Sequence, residues 1–143
     1  MNVEKLLRDK GAFVATVKPD TPVSEALAAL ARHQVGALVV SLDGHTVAGI
    51  VSERDVVRHL HTDGGPVLQG EVGTIMSSDV RFCAPGDTLE SLMEVMTAHR
   101  IRHVPVVEEG ALVGIVSIGD VVKARLGELE DDRQALHDYI NAR

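Results

Sequence analysis

The stretch Gly49-Ile50-Val51-Ser52-Glu53-Arg54-Asp55 returns as Gly114-Ile115-Val116-Ser117-Ile118-Gly119-Asp120. Each copy runs on into Val-Val and a basic residue, Arg58 or Lys123. The match reaches upstream. Pro19 aligns with Pro85, Val23 with Leu89, His33 with His99 and Gly44 with Gly110, all at an offset of 66. From Gly49 to Gly114 the offset is 65, so one residue has dropped out after the Asp43-Gly44 and Glu109-Gly110 pairs. A slip of this kind is what a hairpin loop of variable length produces. The chain is therefore a tandem repeat of one unit, and function is expected between the copies.

Outward from that motif the unit reads β-α-β-β-α. Phe13 to Val17 predicts a short strand. Pro19-Asp20-Thr21-Pro22 follows as a turn in which Thr21 can cap a helix and Pro22 take its first position. Val23, Ala26, Leu27, Leu30 and Ala31 recur at three and four, a helix to about His33. Ala37 to Val40 and Val47 to Val51 are strand-like runs around the Asp43-Gly44 turn, and Ser52 to about Leu60 closes the unit as a helix. The second copy predicts a strand at Val80 to Cys83 and a helix from Thr88 to about Arg100. A hairpin of His103 to Val107 and Leu112 to Val116 follows, then a helix from Ile118. The near-continuous apolar hairpin strands predict burial on both faces. The expected organisation is an N-terminal helix over 1–12, repeats over 13–60 and 75–126, a linker over 61–74 and a helical tail over 127–143. His61 to Pro66 reads as its mobile part. The tail, with Leu129, Leu136, Tyr139 and Ile140 as sparse anchors, is either a packed helix or a frayed end.

The 143 residues suit one compact domain made of two units, and 45 % hydrophobic content can fill a shared core. Aromatics are Phe13, Phe82 and Tyr139 alone, so no aromatic cluster exists on which bases could stack. A net charge of −7 argues against nucleic-acid and anionic-membrane partners. No apolar run approaches the roughly 18 residues a membrane span needs. The lone Cys83 permits no internal disulfide or cysteine zinc site. A cytoplasmic setting is expected.

Ser52-Glu53-Arg54-Asp55 and Ser117-Ile118-Gly119-Asp120 each follow an apolar strand and open a helix. One reading is a capping box, with Asp in place of the usual Glu or Gln, worth about 1 kcal/mol without any ligand. The other is a ligand site, since a helix start offers N–H groups to phosphate.

Strand, Gly-aliphatic-aliphatic-Ser-x-x-Asp, helix, twice in the chain, resembles a pair of cystathionine β-synthase (CBS) domains. His33 to Val40 and His99 to Val107 strengthen the likeness, the second through its basic-x-Pro-Val-Val pattern at His103-Val104-Pro105-Val106-Val107. The resemblance covers about Phe13 to Leu126. It implies an α+β fold with pseudo-twofold packing of the repeats, two clefts, and a homodimer. It also implies adenosyl ligands: AMP, ADP, ATP, S-adenosylmethionine or NAD, AMP being weakly favoured here. Asp in such a motif would accept hydrogen bonds from ribose.

Carried across by position, the resemblance gives one cleft Ser117, Gly119 and Asp120, with Arg102 and His103 toward phosphate. Val35, Gly36 and Ala37 would line the base there, and Thr16 the mouth. The other cleft takes Ser52 and Asp55, with Ile101 and Arg102 beside the base, Val80 at the mouth, and Arg54 in place of a basic pair. Gly36 and Ala37 stand where the second repeat has Arg102 and His103, so the Asp120 cleft is expected to be the better phosphate site.

His33 and His99 end helices and suit the helix dipole. His59 and His61 lack a third metal ligand and read as solvated surface. Met76, Met93 and Met96 read as core or groove filler, and Cys83 as a small buried side chain. No nucleophile elbow, Walker loop or Cys–His pair with plausible spacing is present, so no enzyme is expected and no cofactor is required. The expected function is a regulatory module sensing an adenosyl ligand on behalf of an unknown protein. The alternative is a ligand-free dimerisation or docking adaptor.

Overall fold

A computed structural model describes residues 1–142. Helix α1 (Val3–Lys10) is followed by strand β1 (Thr16–Val17), helix α2 (Val23–His33), strands β2 (Ala37–Val40) and β3 (Gly49–Ser52), and helix α3 (Glu53–Asp63). Short 3-10 turns at Gly65–Gln69 and Val72–Thr74 lead to helix α4 (Leu89–His99), strands β4 (His103–Glu108) and β5 (Ala111–Ser117), and helix α5 (Ile118–Asn141). This is the expected mixed fold of two small sheets with helices, and its two halves repeat one another in detail.

In the first repeat β1 pairs parallel with β2, and β2 antiparallel with β3, so that Val17 lies beside Val40. In the second, β4 and β5 form the hairpin and Cys83 lies parallel beside Val106. Both partners have moved by the same 66 residues. The expected strand over Val80 to Cys83 is thereby reduced to one bridge. The reason lies upstream: Ser77 exchanges hydrogen bonds with Ile50 on the free edge of β3, at 2.9 and 2.8 Å. The chain must then cross from one sheet to the other, which leaves only Cys83 to join β4.

Each lead-in segment completes the core of the other repeat. Val3, Leu6 and Leu7 of α1 pack with Leu89, Leu92, Met96, Val104, Val106, Val116 and Val121 of the second repeat. Val72 and Ile75 pack with Val23, Leu30, Leu38, Val40 and Val51 of the first. The segment between repeats is accordingly structured. His61 to Asp63 form the last turn of α3, and Val67 and Leu68 lie against the first core. This exchange explains the glycine that opens each motif copy. A Cβ on Gly49 would meet Met76 Sδ at 2.6 Å and the Ser77 carbonyl at 2.7 Å; one on Gly114 would meet Leu7 Cδ1 at 2.8 Å.

Helix ends follow their local chemistry. Thr88 caps α4 by accepting from Ser91 N–H. Thr21 does not cap α2. Pro22 occupies the cap position, with no side-chain bond there, and the Thr21 carbonyl accepts from Val72 N–H instead. Gln34 and Arg100, 66 residues apart, both end their helices in the left-handed region, at φ 54° and 53°. Burial on both faces holds for β2 and for the middle of β4. Along β3 buried and half-buried positions alternate, because Ile50 and Ser52 face the space between the repeats. The C-terminal segment is helical, continuing α5 to Asn141, with the anchors Leu129, Leu136, Tyr139 and Ile140 all exposed.

Candidate functional site

Both Ser-x-x-Asp motifs form capping boxes. Ser52 N–H donates to Asp55 Oδ2 at 2.8 Å, while Ser52 Oγ accepts from Asp55 N–H at 3.3 Å. In the second copy Ser117 N–H donates to Asp120 Oδ2 at 2.9 Å and Ser117 Oγ accepts from Asp120 N–H at 3.1 Å. The first N–H of each helix is taken up by its own repeat: Glu53 N–H by the Gly36 carbonyl and Ile118 N–H by the Arg102 carbonyl. Among the described residues the next N–H groups, on Arg54 and Gly119, have no acceptor. Capping thus takes up the serines and part of each carboxylate, and leaves one helix-start donor per copy for an anion.

A cavity of about 570 Å³ lies between the repeats, within the usual range for small-molecule sites. Ser52, Glu53, Arg54 and Asp55 enter it from the start of α3, and Ser117, Ile118 and Gly119 from the start of α5. Gly36, Ile101, Arg102 and His103 come from the approaches to β2 and β4, and Val80 from the crossing segment. Its walls are cationic: Arg54, Arg58, Arg81, Arg100 and Arg102 outnumber Glu53, Asp55 and Asp79, with His103 beside them.

Of the residues assigned to the Asp120 cleft, Gly36, Arg102, His103, Ser117 and Gly119 line this cavity, which also contains Asp55, while Thr16, Val35, Ala37 and Asp120 do not. His103 stands between the two motif carboxylates, since the Asp120 charge also acts on its ring. Gly36 is small because His103 crosses it: a Cβ there would lie 3.3 Å from the His103 ring. Sequence reasoning missed Arg58, Arg81 and Arg100. Arg58 lies one turn beyond Arg54, a spacing legible in advance. Arg100 is displayed by its left-handed helix end, which no periodicity announces.

Asp120 is engaged elsewhere. Lys10 Nζ, at the end of α1, donates to its Oδ2 at 2.7 Å. Burial pushes the Asp120 carboxyl up, but the Lys10 ammonium and the Ser117 N–H outweigh it and hold the group below the ordinary carboxylate range. Sixty-six residues after Lys10 the chain has the uncharged Met76. Asp55, itself buried, has Arg58 as its ion-pair partner, at 3.5 Å. Burial, and then the neighbouring Arg102 charge, push the His103 imidazole below its ordinary value of 6.5. The ring is therefore neutral at pH 7.

The remaining polar side chains have structural roles. His59 Nδ1 lies 2.8 Å from the Asp55 carbonyl. His33 ends α2 and packs beside Phe13, ring centroids 5.3 Å apart. Met96 is buried and Met76 covers Gly49, whereas Met93 is partly exposed. Cys83 is buried, its thiol pushed up to about 12 by that burial and then by Asp87. It is unreactive at neutral pH. No helix among the described residues is long and apolar enough to cross a membrane.

Two copies of one unit, exchanging lead-in segments and enclosing a cationic cleft, define a paired-repeat module. The chain belongs to the CBS domain family, which matches residues 12–62 and 72–127. It is 38 % identical over 125 residues to the mitochondrial CBS domain-containing protein CBSX3 of Arabidopsis thaliana, covering 85 % of this chain and 61 % of that protein. The solved CBS-domain containing protein ATU1752 of Agrobacterium tumefaciens is 48 % identical, with a TM-score of 0.84 over 87 % of this chain and 99 % of that one. A CBS domain protein of Pyrobaculum aerophilum, PAE2072, solved in complex with AMP, is 29 % identical. Its TM-score is 0.75, over 84 % of this chain and 89 % of that one.

Proposed function

We propose that this chain is a regulatory module that binds an adenosyl ligand, AMP or a close relative, in the cleft between its repeats. The cationic cavity at the start of α3 is the observation that carries the reading. Asp55 accepts hydrogen bonds from the ribose hydroxyls, and the Arg54 N–H, with Arg102 and Arg100, holds phosphate. Val80 and Ile101 flank the base, with Ile50 behind them. Ser117 and Gly119 bring the second repeat to the same ligand, so binding draws the repeats together. The ligand shifts an equilibrium between two arrangements and performs no chemistry. At 100 times its Kd a ligand contributes about 2.7 kcal/mol to the favoured arrangement. ADP, ATP, S-adenosylmethionine and NAD share the adenosyl group and compete for the same place. The AMP-bound relative from Pyrobaculum supports this ligand class. The module acts as a homodimer and passes the signal to a regulated protein.

The Lys10–Asp120 ion pair favours a second, narrower reading in which this module binds nothing and serves as a docking adaptor. Thermal unfolding with each of the five ligands in turn separates the two. A rise in Tm with an adenosyl compound supports the sensor, and no rise with any at millimolar concentration supports the adaptor.

A further inference from the structure

His103 opens β4 opposite Ser117, the cap of α5, and lines the cavity between the repeats. Its ring crosses to the first repeat, where a Cβ on Gly36 would lie 3.3 Å from Cε1 and 3.4 Å from Nε2. Sixty-six residues earlier stands the buried Ala37, so the imidazole has no counterpart in the first repeat. Among the described residues, histidine ring nitrogens bond at His59 and His137, and those of the half-buried His103 do not. The charges around the ring come from each charged element beside it. Glu53 at the start of α3 and Asp120 in the first turn of α5 favour a proton on it, while Arg102 on the approach to β4 and Lys10 at the end of α1 oppose one. Lys10 and Asp120 are bonded to each other at 2.7 Å, so their effects on the ring largely cancel. Glu53 does not offset burial and Arg102 together. The ring is left neutral and unpaired in a cationic cavity, which it shares with Arg54, Asp55 and Arg100.

We propose that His103 is a proton-linked phosphate contact: a phosphate-bearing ligand entering the cavity draws a proton from solvent onto the imidazole, which then donates to a phosphate oxygen. This rests on the reading of the cavity as the ligand's site, and adds which ligands that site prefers. A phosphate dianion supplies the acceptor the ring lacks. It also offsets Arg102, the neighbouring charge that opposes protonation. Both effects have one sign. The bound form holds more protons than the free form, so affinity for a phosphate ligand rises as pH falls through the window between the two midpoints. Below about pH 6 the ligand phosphate takes up a proton itself, and the gain ends there. Adenosine, with no phosphate, has no such gain. The module thus tells a phosphorylated adenosyl ligand from a phosphate-free one, and holds the former more tightly in acid. Because the ring belongs to the second repeat and lies on Gly36 of the first, its charge changes at the seam that the ligand draws together.

NMR of the full chain, following the His103 imidazole against pH, tests this; its signals are those lost in His103→Gln. With AMP, and with inorganic phosphate in its place, the midpoint should move up by about one pH unit or more relative to chloride at the same ionic strength. With adenosine it should stay where chloride leaves it. AMP affinity of the wild type should rise about threefold or more between pH 7.5 and pH 6.5 relative to His103→Gln. AMP that binds, seen by heat or by other resonances, while the His103 midpoint stays put overturns the inference and leaves the adenosyl reading standing. A midpoint raised by inorganic phosphate in a chain that no adenosyl compound binds supports the inference and removes that reading. Equal shifts with adenosine and AMP would assign the effect to closure of the repeats, and no shift with any probe would leave the ring outside the site; either overturns the inference.

Discussion

Lys10 Nζ stands 2.7 Å from Asp120 Oδ2, so the helix that precedes the first repeat closes over the helix start of the second. The two Ser-x-x-Asp motifs share one capping geometry and differ in what holds the carboxylate. The expected outcome is visible in titration. Asp120 in the folded chain sits below its unfolded value, so its contribution to stability is full above the unfolded value and is lost as pH falls through the folded one. Removing the ammonium with Lys10→Met leaves burial acting on the carboxylate with less opposition. The Asp120 carboxyl, followed by carbon-detected NMR, should then titrate at higher pH than in the wild type. An unchanged midpoint would mean that the ion pair does not form in solution.

His103 gives a dependence of the same sign in a different window. Its folded value lies below 6.5, so the unfolded chain binds more protons just under that pH. The sign is fixed: stability falls as pH drops from about 6.5 toward the depressed folded value. His103→Gln should flatten that slope in urea midpoints measured from pH 7 down to pH 5, and an unaltered slope would assign it to another group.

The motif glycines should differ in sensitivity. At Gly49 an added methyl meets both Met76 and the Ser77 carbonyl, which is backbone tied to Ile50; at Gly114 it meets only the flexible end of Leu7. Gly49→Ala should cost about 1–3 kcal/mol in chemical denaturation, as overpacking does, and Gly114→Ala distinctly less. Equal costs would show that the Met76–Ser77 segment yields as easily as a side chain.

Much of this was legible in the sequence, for physical reasons that also mark where reading stopped. The duplicated Gly-Ile-Val-Ser motif located β3, β5 and the starts of α3 and α5, because apolar periodicity and capping chemistry are local. The partners of the two lead-in segments were not legible. Val3, Leu6 and Leu7 show an amphipathic helix, but nothing in their spacing says that the face is buried on Leu89 and Val116 rather than on the adjoining repeat. The Lys10–Asp120 pair was hidden for that same reason. Lys10 is remote in sequence, and only the exchange of lead-in segments brings it to the second motif. Arg100 escaped notice because one left-handed residue re-aims its side chain. Thr21 failed as a cap because Pro22 takes the cap position, which leaves the Thr21 hydroxyl one residue outside the helix.

The most direct test of the central claim is isothermal titration of the full chain with AMP and the other adenosyl compounds, in the wild type, Asp55→Asn and Asp120→Asn. Asn keeps an amide oxygen that can accept from the Ser52 or Ser117 N–H, so the helix start is retained. The ion pair with Arg58 or Lys10 is given up in each variant, and the charge that receives ribose is lost in Asp55→Asn alone. The account predicts one site per chain for at least one adenosyl ligand, lost in Asp55→Asn and retained in Asp120→Asn. Binding that survives Asp55→Asn and disappears in Asp120→Asn would contradict it, as would no binding to any of them.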